Sequence, residues 1–132
     1  MKFACFGYIA PGKVESMSES ERDAFVDKCF AYDDFLRSNG HFAGGQALQP
    51  GHTAKSLRRQ DGQLLVIDGP YAETKEFIGG LLILEARDIQ HAVELMSNHP
   101  GSQMGPWEIR PIADMCEMVK ESQERRARAV AC

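Results

Sequence analysis

Apolar positions along the chain change period several times, and each change marks an element. Residues 2–9, KFACFGYI, are aromatic and small-apolar and end at Pro11-Gly12, which predicts a first strand followed by a loop. Phe3, Cys5 and Ile9 fall on one side and Ala4, Phe6 and Tyr8 on the other, so both faces of this strand are apolar. The spacing then becomes helical. Phe25, Cys29, Tyr32 and Leu36 recur at i, i+4, i+7 and i+11 behind Ser18-x-x-Glu21, which has capping-box spacing. Gly40 supplies a left-handed stop, and the pattern predicts a helix over 19–38 with Arg22, Asp27, Asp34 and Arg37 outward.

A weaker strand follows over His41–Leu48, where Gly44-Gly45 predicts a bulge or a close backbone approach. Lys55–Arg59 and Leu64–Ile67 flank an Asp61-Gly62 turn and predict a hairpin. Phe77–Ala86 reads as a further strand, and Asp88 caps a second helix with Ile89, Ala92, Val93 and Met96 on one face. Trp107–Ile112 is the last strand. Asp114-x-x-Glu117 can open a third helix, in which Glu121/Arg125 and Glu124/Arg128 pair at i, i+4. Its Arg125-Arg126-Ala127-Arg128 run is interleaved with acids and reads as a solvated face rather than a basic patch.

The resulting order, βαβ, hairpin, βαβ, is the split βαβ pattern of a ferredoxin-like α+β fold with one antiparallel sheet. Two helices cover only one side of such a sheet. The first strand, Leu64–Ile67 and Leu81–Leu84 are nevertheless apolar on both faces, so a second copy is the economical cover. The expectation is a two-fold homodimer whose open sheet faces meet in a dimeric α+β barrel, enclosing a cavity near the interface. The domain itself spans 1–113 and the helical extension 114–132.

The centre of the pattern is Leu64–Leu84, where two apolar runs flank a polar elbow opening on Asp68-Gly69-Pro70-Tyr71. Four apolar residues deliver one carboxylate to a turn that proline closes, having no N–H for a ladder. Burial there would raise the Asp68 pKa and fit it for proton transfer, whereas an Asx-turn role would bind it to the elbow's own N–H groups. Glu73, Lys75 and Glu76 follow it, as an ion-pair network with Arg110 or around a substrate mouth. Arg110, beside Pro111, can clamp a carboxylate with two prongs or bridge to Glu85, Glu108 or the elbow acids.

His41, His52, His91 and His99 show no metal-pair spacing and read as surface or helix-end residues, with His52 or His41 the candidate partner for Asp68. Tyr8 and Tyr32 read as core residues with bonded hydroxyls. Gly79-Gly80 lies inside a strand, so close backbone packing explains it better than a phosphate cradle, and dinucleotide and P-loop patterns are absent.

Composition narrows the classes. The 132 residues fit one domain, and a net charge of −4 with scattered basic residues gives no electrostatic reason to expect nucleic acid. No apolar run reaches the ~18 residues of a membrane span and the start is a poor signal peptide, so the expected compartment is the cytoplasm. Cys5, Cys29, Cys116 and Cys132 form neither a CxxC pair nor a His/Cys ligand set, which argues against zinc. Cys5 and Cys29 read as small buried hydrophobes, and no cofactor is expected.

The elbow in its context carries a resemblance. DGPYAETKEFIGG, with GGQALQP before it and HP and WEIRPI after it, resembles the DGPF-domain branch of the YCII-related proteins from Met1 to about Ala113. Tyr71 stands where the motif usually has Phe, adding a hydroxyl at the elbow. The resemblance implies a ferredoxin-like dimeric α+β barrel and maps the family's Asp onto Asp68. It also implies two functions of different kinds. One is a cofactor-independent enzyme, because related proteins hold a His and an Asp in one pocket; the other is an accessory or sensor domain, because DGPF members occur beside or fused to extracytoplasmic-function sigma factors. On the enzyme reading Asp68 is the general acid or base on a small carboxylate or carbonyl substrate, with Arg110, Tyr71, Lys75 and His52 as substrate contacts.

Overall fold

In the computed structural model, residues 1–71 and 76–131 are described. Four strands form one antiparallel sheet: β1 (Lys2–Ile9), β2 (Phe42–Ala47), β5 (Phe77–Glu85) and β6 (Trp107–Pro111), in the order β2-β5-β1-β6. Helix α1 (Glu19–Ser38) connects β1 to β2, and α2 (Ile89–Ser97) connects β5 to β6. This is a mixed α+β arrangement consistent with a ferredoxin-like fold. The hairpin β3 (Lys55–Gln60) and β4 (Gln63–Asp68), which follows β2 and precedes β5 in the sequence, forms its own two-stranded sheet.

Local chemistry explains the boundaries. The Ser18 hydroxyl accepts the Glu21 N–H while the Glu21 carboxylate accepts the Ser18 N–H, so the predicted capping box closes α1. Asp61 (φ 51°) and Gly62 (φ 79°) are both left-handed, as a tight hairpin turn of that type requires. Register slips between Phe42 and Gly44, which is the predicted bulge, and a second slip near Gly7/Tyr8 leaves Gly79 unpaired opposite β1. A Cβ on Gly79 would fall 2.2 Å from Ile9 Cδ1, so close packing accounts for this glycine.

Phe3, Cys5, Leu82 and Leu84 pack from the sheet against Leu36 of α1 and Ala92 and Met96 of α2. Each large apolar side chain so buried stabilises by about 1.5–3 kcal/mol. In α2, Leu95 packs on the core, whereas Ile89 and Val93, expected inward, are 44% and 40% exposed. Cys5 is buried, and burial pushes its thiol up to about 11.

One expectation is corrected. The Leu64–Ile67 run is not a sheet strand of the main core; all six residues of β4 are exposed in the single chain. In the single chain a cavity lies on the helix-covered side of the four-stranded sheet, between α1 and the strands β1, β2 and β5. α3 (Cys116–Ala131) follows Asp114, whose carboxylate accepts the Cys116 N–H at 3.0 Å, and nearly all of its described side chains are exposed.

Candidate active site

Helix α1 presents Phe25, Cys29, Tyr32 and Leu36 inward, as the spacing predicts, and one acid with them. Asp33 lies four residues after Cys29 and eight after Phe25, which places a carboxylate on the buried stripe. Its partner arrives from the other end of the fold. His99, 6% exposed, caps a single 3-10 turn, Pro100–Gln103, between α2 and β6. Its Nδ1 accepts the Gly101 N–H at 2.9 Å, and its Nε2 lies 3.1 Å from Asp33 Oδ1. Because a backbone N–H needs a lone pair, the hydrogen-bond network assigns the ring proton to Nε2, donated to Asp33.

Aromatic contacts fix the ring. Tyr32 meets it edge-on at 5.5 Å between centroids and Trp107 lies tilted at 5.3 Å. The Tyr32 hydroxyl donates to the Leu95 carbonyl, and burial raises its pKa. The Trp107 Nε1–H is buried with no hydrogen-bond partner among the described residues.

A cavity of about 480 Å³ opens between α1 and the sheet, walled by Gly7, Phe25, Cys29, Asp33, His99 and Trp107 among others. A second hollow of about 560 Å³, walled by Met17, Glu21, Lys28 and Asn98, adjoins it, and Phe25 and His99 line both. The Cys29 thiol is lifted to about 11, first by burial and second by the negative Asp33, which keeps it a neutral wall group rather than a nucleophile. Arg37 and Asp34 complete the charged lining and bind each other at 2.7 Å, with the Arg37 guanidinium 4.4 Å above the Phe42 ring.

The residues singled out from sequence do not converge here. Asp68 ends β4 with its side chain 83% exposed, ion-paired to Lys55 across the hairpin. In the single chain the apolar strand leading to Asp68 is itself solvent-exposed and does not bury that carboxylate. Tyr71 is 73% exposed, 5.9 Å beneath the Arg58 guanidinium. Arg110 lies on the open sheet face and bridges to Glu108 at 3.0 Å, one of its anticipated structural partners. His52 is exposed in a short turn, Gly51–Thr53, and His41 bonds the Glu85 carbonyl beside His91. None of these lines either cavity. Lys75 and Glu73 lie outside the described residues, as does Cys132.

His99 therefore takes the helix-end role expected of it, as the cap of the Pro100–Gln103 turn, but it is buried rather than on the surface. Asp33 on the apolar stripe and a His-Pro-Gly run beside the last strand were the available signals, but only tertiary packing joins positions 66 residues apart. Among the described residues no group of three or more His, Cys, Asp or Glu is placed to hold a metal ion, and no helix is long and apolar enough to cross a membrane.

Fold and pocket together define a small α+β protein with a buried histidine hydrogen-bonded to a half-buried aspartate beside a cavity. The chain belongs to the YCII-related family: the YCII-related domain matches residues 1–116. It is 32% identical over 68 residues to a protein of Rhizobium meliloti (strain 1021) named only as uncharacterised, a match spanning 50% of this chain and 55% of that one. Among solved structures it is similar to 5-chloro-2-hydroxyhydroquinone dehydrochlorinase from Burkholderia phenoliruptrix AC1100, in complex with 2,5-dihydroxybenzoquinone. That likeness has a TM-score of 0.51 and 16% identity, covering 86% of this chain and 94% of that one, and shows a shared fold.

Proposed function

We propose that the chain binds a small organic molecule in the α1–sheet cavity and acts on it by cofactor-independent proton transfer at the hydrogen-bonded Asp33–His99 pair. The observation that carries this is a buried histidine with both ring nitrogens engaged, one by a carboxylate, at the wall of a cavity of about 480 Å³. Polar pairs of this kind cost stability in an apolar wall and cluster at functional sites. We place the proton-transfer role expected of Asp68 on this pair instead, because in the single chain Asp68 is exposed, ion-paired to Lys55 and away from either cavity. The dehydrochlorinase acts on a hydroquinone, so hydroquinone is the first probe. Titrated into ¹⁵N-labelled protein, it is expected to shift the amides of Cys29, Asp33 and Gly101. Shifts confined to the hairpin around Asp68, or none at all, would reject the proposal.

We also assign the chain to the DGPF branch, on the Asp68-Gly69-Pro70-Tyr71 elbow, and to the cytoplasm. We propose a homodimer as well, supported by exposed apolar side chains on β3 and β4: Leu57 (65%), Leu64 (49%), Val66 (61%) and Ile67 (43%). A folded monomer at micromolar concentration, by size exclusion with light scattering, would reject the dimer.

A further inference from the structure

We infer that Asp33, not His99, is the group that meets the ligand, and that the cavity selects a neutral proton donor such as a phenol or enol over a carboxylate. This rests on the reading of the α1–sheet cavity as the ligand site. The His99 ring has two nitrogens and both are committed. To act as a base it must take a proton on Nδ1, which would set that new N–H against the Gly101 N–H 2.9 Å away. His99 is thus a positioning residue, donating Nε2–H to Asp33 Oδ1. Among the described residues no hydrogen bond reaches Asp33 Oδ2, and the side chain, 23% exposed, faces the cavity it lines.

Charge decides the ligand class. The other charged side chains on the cavity wall, Asp34 and Arg37, neutralise each other. Asp33 remains a carboxylate in a largely apolar wall, where an entering anion meets like charge and the Arg37 guanidinium on that wall is already paired with Asp34. A ligand O–H instead donates to Oδ2 in a charge-assisted bond about twice as strong as a neutral one. Proton transfer then breaks the ligand O–H, leaves its electron pair on the ligand oxygen and places the proton on Oδ2, while Oδ1 keeps its bond from His99.

Phenol and benzoate, matched in ring and opposite in charge, test this by titration into the ¹⁵N-labelled full chain. The amides of Cys29, Asp33 and Gly101 report, together with the indole N–H of Trp107, the single tryptophan. Phenol is expected to bind roughly tenfold more tightly than benzoate, a difference of about 1.4 kcal/mol. Asp33→Asn, which keeps an oxygen for His99 and removes the charge, should bring the two within roughly threefold of each other. The ring-nitrogen spectrum of His99 at neutral pH should show its proton on Nε2, with and without phenol. Benzoate binding as tightly as phenol in the unaltered protein, or a ring protonated on Nδ1, overturns the inference and leaves the cavity reading in place. If neither probe shifts the cavity amides, both fall; the comparison in the unaltered chain decides even if Asp33→Asn does not fold.

Discussion

Replacing Asp33 by alanine isolates the buried contact from any ligand. The variant strands the Nε2–H of a His99 side chain that is only 7% exposed, and an unsatisfied buried donor costs about 1–3 kcal/mol. Alanine gains roughly half a kcal/mol of helix propensity over aspartate within α1, so the net loss should be about 0.5–2.5 kcal/mol. Asp33→Asn keeps an amide oxygen where Oδ1 stood and should lose less than ~1 kcal/mol. For a chain of 132 residues each kcal/mol lowers the melting temperature by roughly 3–5 °C, so alanine should fall clearly below asparagine. Urea denaturation at fixed protein concentration measures this, with an unchanged slope confirming that only stability moved. Alanine as stable as asparagine and the unaltered chain would mean that His99 is not held by Asp33, and the site would lose its geometry.

Leu36→Ala empties a fully buried position beneath both the sheet and α2 and should cost about 2–5 kcal/mol by the same denaturation assay. Gly105→Ala is expected to lose about 1–3 kcal/mol, because a Cβ there would lie 2.0 Å from the Tyr8 carbonyl oxygen, and backbone gives way less readily than a side-chain end. Cys5 and Cys29 hold their protons more tightly folded than unfolded, each lifted from 9.0 to about 11, so stability should be intact below 9.0 and decline as pH rises through about 11. Urea midpoints across that range check the sign, and Cys5→Ala with Cys29→Ala should flatten the slope. A chain ended after Ala113 should keep its melting temperature within a few degrees while losing helical circular dichroism, since α3 buries almost nothing.

The elements were legible because their signals are local. The Ser18/Glu21 box, the Asp61-Gly62 turn and the Gly44 bulge each depend on residues within a few positions, and each forms where it was expected. Faces were read less well. Four consecutive apolar residues at Leu64–Ile67 predict a buried strand, but such a run cannot tell a core strand from a hairpin arm that projects from the domain, as this one does. The site was hardest. Asp68 stood out because its turn is conspicuous in sequence, whereas Asp33 sits among the acids of α1 and betrays itself only by phase, on the same stripe as Phe25 and Cys29.

That phase error has a physical basis. A periodicity argument treats an acid on an apolar stripe as noise, because burying an unpaired carboxylate costs several kcal/mol. Here the carboxylate is kept by the Nε2–H of His99, and the ring is oriented in turn by the Gly101 N–H, so each polar atom is answered by the next. Cys29, one turn before Asp33, has its thiol pushed up partly by that charge, the response of a neutral wall group facing a negative neighbour. An apolar residue of similar size at position 33 would fill the same space without a partner recruited from the α2–β6 connection. A chain that nevertheless spends an acid, an imidazole and a cap to hold a charge beside an open cavity has local and global preferences in conflict at one place, where functional demand competes with folding.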